Sequence, residues 1–330
     1  MAGRTWFALV VTRKKLMLAG VILAAVLLVF AGLILSDFVI RRLYGVKPGV
    51  KLAGYDVGGM LRGELYDTIL KLSAAATVEA RNASYDWQNG RVSPEQVGQI
   101  VDINATIDLV MKASANALLE LVAVPVLPSI TQANFTPYYR GPADQPFISL
   151  MINVDWGNEV IPAMLDVFRR YNVTTTWFLT GTWAEKNPEL AAAIAQDGHE
   201  IGNHGGWHGL PSEMTPEQIQ DLILTGEDKI MDITGQKPML FAPPAGDFNQ
   251  QTVAVAAELG YKTILWTIDT VDWQRPAPTV IIDRVVTRAQ NGAFVLMHPT
   301  EPTLQALPLI IEQLQKRGYS VVPVSQILNQ

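Results

Sequence analysis

The feature that most constrains the fold is an alternation of strand-like and helix-like segments from Phe147 to the end of the chain. The apolar runs include "FISLMINV", "TTTWFLTG", "KTILWTID" and "AFVLMH", and between them apolar residues recur at helical spacing. Such alternation favours a parallel sheet. About seven units in this stretch predict an α/β fold, a small (β/α) barrel of about seven strands, complete or incomplete. A doubly wound open sheet is the alternative, because periodicity does not separate the two.

The first 36 residues predict a membrane anchor. Residues 16–36 are uncharged and mostly apolar, which is long enough to cross a bilayer as a helix. A cleaved signal peptide is the alternative, but the run is longer than usual and no clear A-x-A site follows it. The tighter basic cluster precedes the run, so residues 1–15 are expected in the cytoplasm. We therefore expect a single-pass protein of the cell membrane, with the bulk of the chain extracytoplasmic.

The amino-acid composition excludes several kinds of partner and catalytic group. A hydrophobic content of 49% with 17% charged residues can supply a sizeable core. The net charge of -6 gives no basic excess, so nucleic acid is a poor candidate for the partner. The chain has no cysteine, which excludes disulfides, thiolate metal ligands and cysteine nucleophiles. All four histidines lie in the C-terminal half, so any imidazole chemistry must occur there.

Three further segments follow the anchor. Residues 37–134 mix glycine-rich turns, short strands and two helices, which predicts a small α+β domain preceded by the transmembrane helix. This domain has no histidine and no acid cluster, so a binding or spacer role is expected. Residues 135–146 are rich in Pro and Gly and lack periodicity, which indicates a linker. Residues 147–330 form the candidate catalytic domain.

Helix ends are also predicted from the sequence. The second helix of the small domain begins near Asn104 or Thr106, either of which is a suitable N-cap. In the C-terminal region, Thr215 and Gln218 have the spacing of a capping box, and Gly235 follows the end of that helix.

Polar residues recur where the predicted strands end. Asp155 closes the first strand, Asn203 and His204 the third, Asp269 the fifth and His298 the sixth. In β/α barrels this edge of the sheet carries the active site. Any one such residue alone could be a satisfied core group, but four together favour a functional site.

The segment "NHGGWH" is the sharpest local signal. His204 and His208 are four residues apart, and two imidazoles with one carboxylate form a common ligand set for a catalytic divalent metal. Gly205 and Gly206 argue against a helix of the H-E-x-x-H kind, so a loop or the first turn of a helix is expected.

A second signal combines "TIDTVDWQRP" with "LMH". The first segment supplies two acids and Trp273, and the second supplies His298. A histidine held by a carboxylate suits a general acid near neutral pH. A capping Asp and a core His are the alternative, and His199 is expected to be structural.

These residues resemble the polysaccharide deacetylases with the NodB homology domain, carbohydrate esterase family 4, over residues 147–328. Five motifs occur in the family's order: the Thr-Phe-Asp-Asp-Gly motif at 153–157, His-x-x-x-His at 204–208, Arg-Pro-Pro-Tyr-Gly at 242–246, Asp-Trp at 272–273 and Leu-x-His at 296–298. The resemblance implies metal-dependent removal of acetyl groups from N-acetylated sugars of peptidoglycan or a related cell-wall polysaccharide.

The resemblance also implies roles for particular residues. His204 and His208 would bind the metal, which is usually zinc. Asp155 would be the general base and His298 the general acid, with Asp272 tuning His298. The backbone N–H of Ala245 would face the oxyanion. Residues of the remaining motifs would contact the substrate, namely Trp273, Pro244, Ala245 and Leu296.

Two departures from the family pattern bear on activity. Trp156 stands where the family has its metal-binding Asp, and Ala242 stands where it has the Arg that positions the base. Asp155 then becomes the candidate third metal ligand, or Glu159 or Asp247 completes the site. The remaining alternative is a catalytically weak or inactive protein that binds cell-wall glycan.

The small domain is similar to a domain associated with peptidoglycan binding in membrane-anchored cell-wall proteins. The similarity rests on "GYDVGGM", "EARNASYD", "VSPEQVGQIVDINAT" and "PSIT". It implies a wall-binding spacer between the membrane and the deacetylase-like domain.

Overall fold

The computed structural model describes residues 12–329, which divide into two compact units. The first unit contains the described residues up to Arg81 together with Val97–Leu127. The second unit contains Asn82–Gln96 and the described residues from Pro128 onward.

Helix α1 (Arg13–Tyr44) has 32 residues, none of which is buried. At 1.5 Å per residue it is about 48 Å long, compared with about 30 Å for the hydrocarbon core of a bilayer. Within residues 12–329 it is the one helix that is long and apolar enough to cross a membrane, judged by length and composition alone. Its last turn is tied to the rest of the first unit, since Arg41 pairs with Glu64 at 2.7 Å.

The elements that follow up to residue 126 are β1 (Lys51–Leu52), β2 (Tyr55–Asp56), α2 (Arg62–Ala76), β3 (Ser84–Asp86), β4 (Arg91–Ser93), β5 (Gly98–Val101), α3 (Ile103–Lys112), β6 (Leu118–Leu119) and β7 (Ala123–Val126). In the first unit, β2, β1 and β6 form one sheet and β5 pairs with β7. Apolar residues of α2 and α3 form the core of this unit, including Leu65, Ile69, Ile107 and Val110.

The N-cap of α3 differs from the prediction. Asp102 caps the helix through its side chain, which accepts a hydrogen bond from the Ala105 N–H at 2.8 Å. The expected cap at Asn104 or Thr106 is therefore wrong. Strand β5 ends one residue before Asp102 and α3 begins one residue after it, so a single residue serves as the whole connection.

The second unit continues with β8 (Phe147–Val154), α4 (Ile161–Tyr171), β9 (Thr176–Leu179), α5 (Gly181–Lys186), α6 (Pro188–Gln196), β10 (Glu200–Asn203), α7 (Pro216–Thr234), β11 (Leu240–Phe241), α8 (Gln250–Glu258), β12 (Lys262–Thr263), β13 (Ile268–Asp269), α9 (Pro278–Arg288), β14 (Ala293–Met297), α10 (Glu301–Lys316), β15 (Ser320–Val321) and α11 (Val324–Leu328). Seven strands form a curled half-barrel in the order β12-β11-β10-β9-β8-β14-β13, and every neighbouring pair is parallel. Strand β15 pairs with the start of β8. The predicted α/β barrel-like fold is thus confirmed in its incomplete form.

Strand β8 lies inside this sheet, between β9 and β14, and is buried on both faces. Its seven residues from Ile148 to Val154 are all buried, as expected for a strand covered by helices on one side and barrel interior on the other. Helix α7 has the predicted capping box, in which the Thr215 N–H donates to Gln218 Oε1 at 2.9 Å. Gly235 ends the helix at φ 69°, a conformation that glycine adopts without strain.

The two ends of the half-barrel are close to each other in the chain. Only residues 264–267 separate β12 from β13, although these strands lie at opposite ends of the strand order. Consecutive Cα atoms are about 3.8 Å apart, so the two strands are within about 19 Å of each other. The curl of the sheet is therefore imposed by a short connection.

A segment that precedes β8 lies along this gap. The Tyr138 N–H donates to Thr263 O, and Tyr138 O accepts from the Leu265 N–H, both at 2.8 Å. Three residues later, the Gly141 N–H donates to Gly292 O at 2.9 Å. We call residues 138–141 the seam segment, because it joins the β12 end of the sheet to the start of β14.

The β3–β4 hairpin also packs within the second unit. The Tyr85 N–H and the Trp87 indole N–H both donate to the Glu258 carboxylate at 3.2 Å. Ala83 and Phe135 share a small buried cluster with Ala254.

Candidate functional site

The carboxyl ends of four parallel strands meet around one cavity of about 440 Å³, the central cavity. Its ionisable and amide side chains are Asn153, Asp155, His204, His208, Asp269 and His298. The remaining lining residues are Trp156, Trp266, Trp273, Ala245, Gly246 and Leu296. The structure thus brings together most of the residues singled out from the sequence. Two others lie outside the lining: Pro244 is buried, and Asp272 is buried behind His298.

The loop after β10 places two histidines at the cavity. Asn203 fixes this loop, because its Oδ1 accepts from the Gly205 N–H at 2.7 Å and its Nδ2 donates to Ile223 O at 2.8 Å. Gly205 has φ 90°, which favours glycine. The resulting turn brings the rings of His204 and His208 to 5.4 Å between centroids. As predicted, the histidines lie on a loop.

His204 is held as a neutral imidazole. Its Nδ1 lies 2.7 Å from the Ala242 carbonyl oxygen, which can only accept, so Nδ1 carries the proton. Burial lowers the pKa of His204 to about 3, because the charged form loses its hydration. The hydrogen bond from Nδ1 leaves the Nε2 lone pair as the ring's available ligand atom.

The described residues do not complete a metal site. No group of three or more His, Asp or Glu side chains within residues 12–329 is arranged to hold an ion. Asp155, the expected third ligand, accepts a hydrogen bond from Thr180 Oγ1 at 2.6 Å. Both oxygens of Asp247 are occupied by Ser212 at 2.7 Å, and Glu159 is exposed in a neighbouring cavity. His204 and His208 alone do not fit the three-ligand pattern of a catalytic divalent metal.

The pair of His298 and Asp272 is fully formed. His298 Nδ1 donates to Asp272 Oδ1 at 2.7 Å, and the His298 backbone N–H donates to Oδ2 at the same distance. Thr303 Oγ1 adds a third donor at 2.6 Å to the Asp272 carboxylate, whose side chain is 0% exposed. Three donors orient this carboxylate, and it in turn fixes the His298 ring with Nε2 as the nitrogen outside these bonds.

The turn that carries Asp272 is strained at both ends. Val271 has φ 54° and Arg275 has φ 53°, in the left-handed region that non-glycine residues seldom occupy. Between them a short 3-10 turn buries Asp272 and leaves Trp273 exposed. Backbone strain of this kind is common at functional sites.

Three tryptophans give the cavity aromatic walls. Trp156 and Trp273 are 40% and 54% exposed, and Trp266 is partly exposed. The Trp156 indole stacks on the His298 imidazole, with 5.9 Å between centroids and 6° between planes. Exposed aromatic faces beside polar groups are suited to flat, amphipathic ligands.

Asn153 was not predicted as a site residue. It is 4% exposed, lines the central cavity, and its Oδ1 has no hydrogen-bond partner among the described residues. Buried polar atoms are normally paired, so this amide is a place where a ligand can supply the missing partner. Its position two residues before Asp155 was the available signal, since alternate strand residues share a face.

Comparison with known proteins places the chain in a family. The protein-family model for polysaccharide deacetylase matches residues 140–264. The chain is 36% identical over 270 residues to the uncharacterized protein YlxY of Bacillus subtilis, covering 81% of this chain and 84% of that protein. It is 36% identical over 173 residues to a peptidoglycan-N-acetylglucosamine deacetylase of Bacillus cereus, covering 51% of this chain and 81% of that enzyme.

A solved structure is similar over most of the chain. The wild-type pseudoenzyme of carbohydrate esterase family 4 from Bacillus anthracis is 33% identical, with a TM-score of 0.58 over 80% of this chain and 94% of that one. A mutant of that pseudoenzyme is described as having restored enzymatic activity. The parallel half-barrel, the ordered motifs and these relatives show that the chain belongs to the polysaccharide deacetylases of carbohydrate esterase family 4.

Proposed function

We propose that this protein binds N-acetylated sugars of cell-wall glycan in the central cavity and lacks metal-dependent deacetylation. One observation carries the proposal: the cavity combines three tryptophans and an unpaired buried amide, while His204, His208 and Asp155, which also line it, are not arranged as a metal site. The cavity thus offers aromatic and polar contacts to a sugar, but its candidate ligands are not arranged to hold a metal.

Particular residues account for the binding. The exposed faces of Trp156 and Trp273 offer apolar surface to a sugar ring. The acetamido N–H would supply the missing partner of Asn153 Oδ1. The backbone N–H of Ala245 is a candidate donor to the acetyl oxygen, and Leu296 offers apolar contact to the methyl group.

Deacetylation is the second candidate, and the intact pair of His298 and Asp272 favours it. In that reading a divalent metal, usually zinc in the family, would be held by His204, His208 and Asp155, with His298 as the general acid. Such an ion would polarise the acetyl carbonyl. This assignment requires Asp155 to serve as a ligand although Thr180 already donates to it.

The remainder of the chain fits a wall protein. We propose that residues 16–36 anchor it in the cell membrane and that the part of the expected small domain (37–134) that lies in the first unit forms a wall-binding spacer. The expected linker at 135–146 belongs to the second unit, through the hydrogen bonds of its seam segment, and this whole unit would then meet the glycan outside the membrane.

The test measures binding and turnover together on the full chain in detergent. Purified protein is titrated with N-acetylglucosamine tetrasaccharide, with and without a chelator, and acetate release is assayed with added zinc. We expect binding that the chelator does not change, and no acetate above background. Trp273→Ala should weaken binding about twofold to twelvefold, because aromatic contacts contribute about 0.5 to 1.5 kcal/mol.

Trp87→Ala is the matched control, because Trp87 is 43% exposed in the same unit but lies outside the central cavity. It should bind like the wild type. Zinc-dependent acetate release that is lost in His204→Ala would instead establish the deacetylase. Absence of any glycan binding would refute the proposal.

A further inference from the structure

We propose that Trp156 separates two sugar subsites, and that a neighbouring cavity binds a second, uncharged hexosamine of the same glycan. This inference rests on the proposed function, since it adds a subsite to the glycan site. The second cavity, here the side cavity, has a volume of about 440 Å³ and is lined in part by Trp156, Asn158, Glu159, Thr182, Lys186 and Asn187.

The two cavities share a wall. Asp155, Trp156 and His208 line both of them. On the central side, the Trp156 indole lies parallel to His298. The indole is 40% exposed, so a chain of sugars can pass over it and occupy both cavities. Trp156, which stands where the family has its metal-binding Asp, therefore separates the two cavities.

The side cavity has a preorganised polar wall. The Trp183 indole N–H donates to Asn158 Oδ1 at 2.6 Å, Asn158 Nδ2 donates to Asn187 Oδ1 at 2.7 Å, and Asn187 Nδ2 donates to Trp183 O at 2.9 Å. This closed ring of bonds fixes both amides against a buried indole. Each amide nitrogen carries two hydrogens and uses one in the ring, so each has one left for a sugar hydroxyl.

The charges around the side cavity favour a neutral ligand. Lys186 supplies one positive charge, while Glu159 and Asp155 supply two negative charges. A carboxylate-bearing sugar would meet a net negative wall, whereas the hydroxyls of an uncharged hexosamine can both donate to the carboxylates and accept from Lys186. The side cavity therefore fits an N-acetylglucosamine-type residue better than a muramic acid residue.

The experiment compares glycans of different length and charge on the full chain in detergent. Isothermal titration with N-acetylglucosamine and with its tetrasaccharide separates one occupied subsite from two. We expect Asn158→Ala and Lys186→Ala each to weaken tetrasaccharide binding about fivefold, as expected for one hydrogen bond, and to leave monosaccharide binding unchanged. Lys186→Ala tests the subsite independently, because Asn158→Ala also removes the acceptor of the buried Trp183 indole N–H.

Lys316→Ala is the matched control, because Lys316 is exposed on α10 and lines neither cavity. Equal tetrasaccharide binding by wild type and both variants would overturn the second subsite while the proposed function stands. If a muramic-acid-containing tetrasaccharide binds more tightly than the N-acetylglucosamine tetrasaccharide, and Lys186→Ala removes this preference, the inference that the ligand is uncharged would be overturned. Failure of every glycan to bind would count against the proposed function itself.

Discussion

Two histidines of this chain are buried without a carboxylate partner. His199 is 2% exposed, accepts a hydrogen bond from the Thr175 N–H at 3.1 Å, and packs against the rings of Phe168 and Trp177. Burial lowers the pKa of His199 to about 4, because the charged ring would lose its hydration. Like His204 in the central cavity, it is therefore neutral in the folded protein at physiological pH.

We expect acid to destabilise the protein through His199. Above about pH 6.5 both the folded and the unfolded histidine are neutral, and the full stability is present. Between about pH 6.5 and 4 the unfolded state binds a proton that the folded state does not, so the free energy of unfolding falls as the pH falls. The pKa difference corresponds to about 3 kcal/mol. Urea unfolding at a series of pH values should show a shallower slope for His199→Gln, which cannot titrate.

Phe168→Leu is the control for lost packing beside His199. It should lower the free energy of unfolding by a similar amount at every pH and leave the slope unchanged. An identical slope in wild type and His199→Gln would show that this histidine does not govern the acid response.

At the scale of elements, the short turn between β13 and α9 stores strain where the site needs a fixed geometry. Arg275 ends this turn at φ 53° and is exposed. A non-glycine residue in this conformation costs about 1 kcal/mol or more. A glycine at position 275 would therefore remove this strain.

Arg275→Gly should raise the free energy of unfolding by up to about 1 kcal/mol, because glycine adopts positive φ without strain. Denaturant unfolding measures this change. Asp283→Gly is the control, since Asp283 is exposed within α9 and glycine there should destabilise by about 0.3 kcal/mol, the difference between the two helix propensities. A loss of stability in Arg275→Gly would indicate that the guanidinium makes contacts that offset the strain.

Helix ends that depend on local interactions are predictable from the sequence, and those set by tight connections between elements are not. Helix α7 was predicted correctly at both ends, because its cap at Thr215 and its stop at Gly235 are local interactions. The N-cap of α3 was missed because Asp102 is the only residue between a strand and a helix. The strand ends predicted that Asp155 and His298 lie at one cavity.

Other features of the site could not be predicted because they depend on distant contacts. The unpaired state of Asn153 and the ring formed by Asn158, Trp183 and Asn187 exist only once several loops are in place. Spacing in the sequence also suggested a three-ligand set that includes Asp155. In the structure that carboxylate instead accepts from Thr180, a partner 25 residues away.

At the scale of the whole molecule, α1 is the candidate for attaching the chain to a membrane. Its apolar part is uncharged between residues 16 and 36, while Arg41 near its end pairs with Glu64 in the first unit. A cleavage within the apolar part would leave that pairing in place. The helix alone therefore does not distinguish an anchor from a signal sequence.

We expect the chain to remain in the membrane fraction after alkaline carbonate washing and to keep its N-terminal peptides by mass spectrometry. The chain has no cysteine, so introduced cysteines report orientation without interference. In intact cells, a membrane-impermeant maleimide should label Asp144→Cys and should label Thr12→Cys only after permeabilisation. Recovery of a soluble chain that begins after residue 36 would identify a signal sequence.

The seam segment has a consequence for the order in which the protein forms. Tyr138 leaves the ribosome before any strand of the half-barrel, yet its partners Thr263 and Leu265 are more than a hundred residues further along the chain. At about 5 to 20 residues per second, roughly 6 to 25 s pass before they emerge. During that interval the strands already made, β8 to β11, have two open edges. The half-barrel thus stays unsealed until synthesis of the chain is nearly complete.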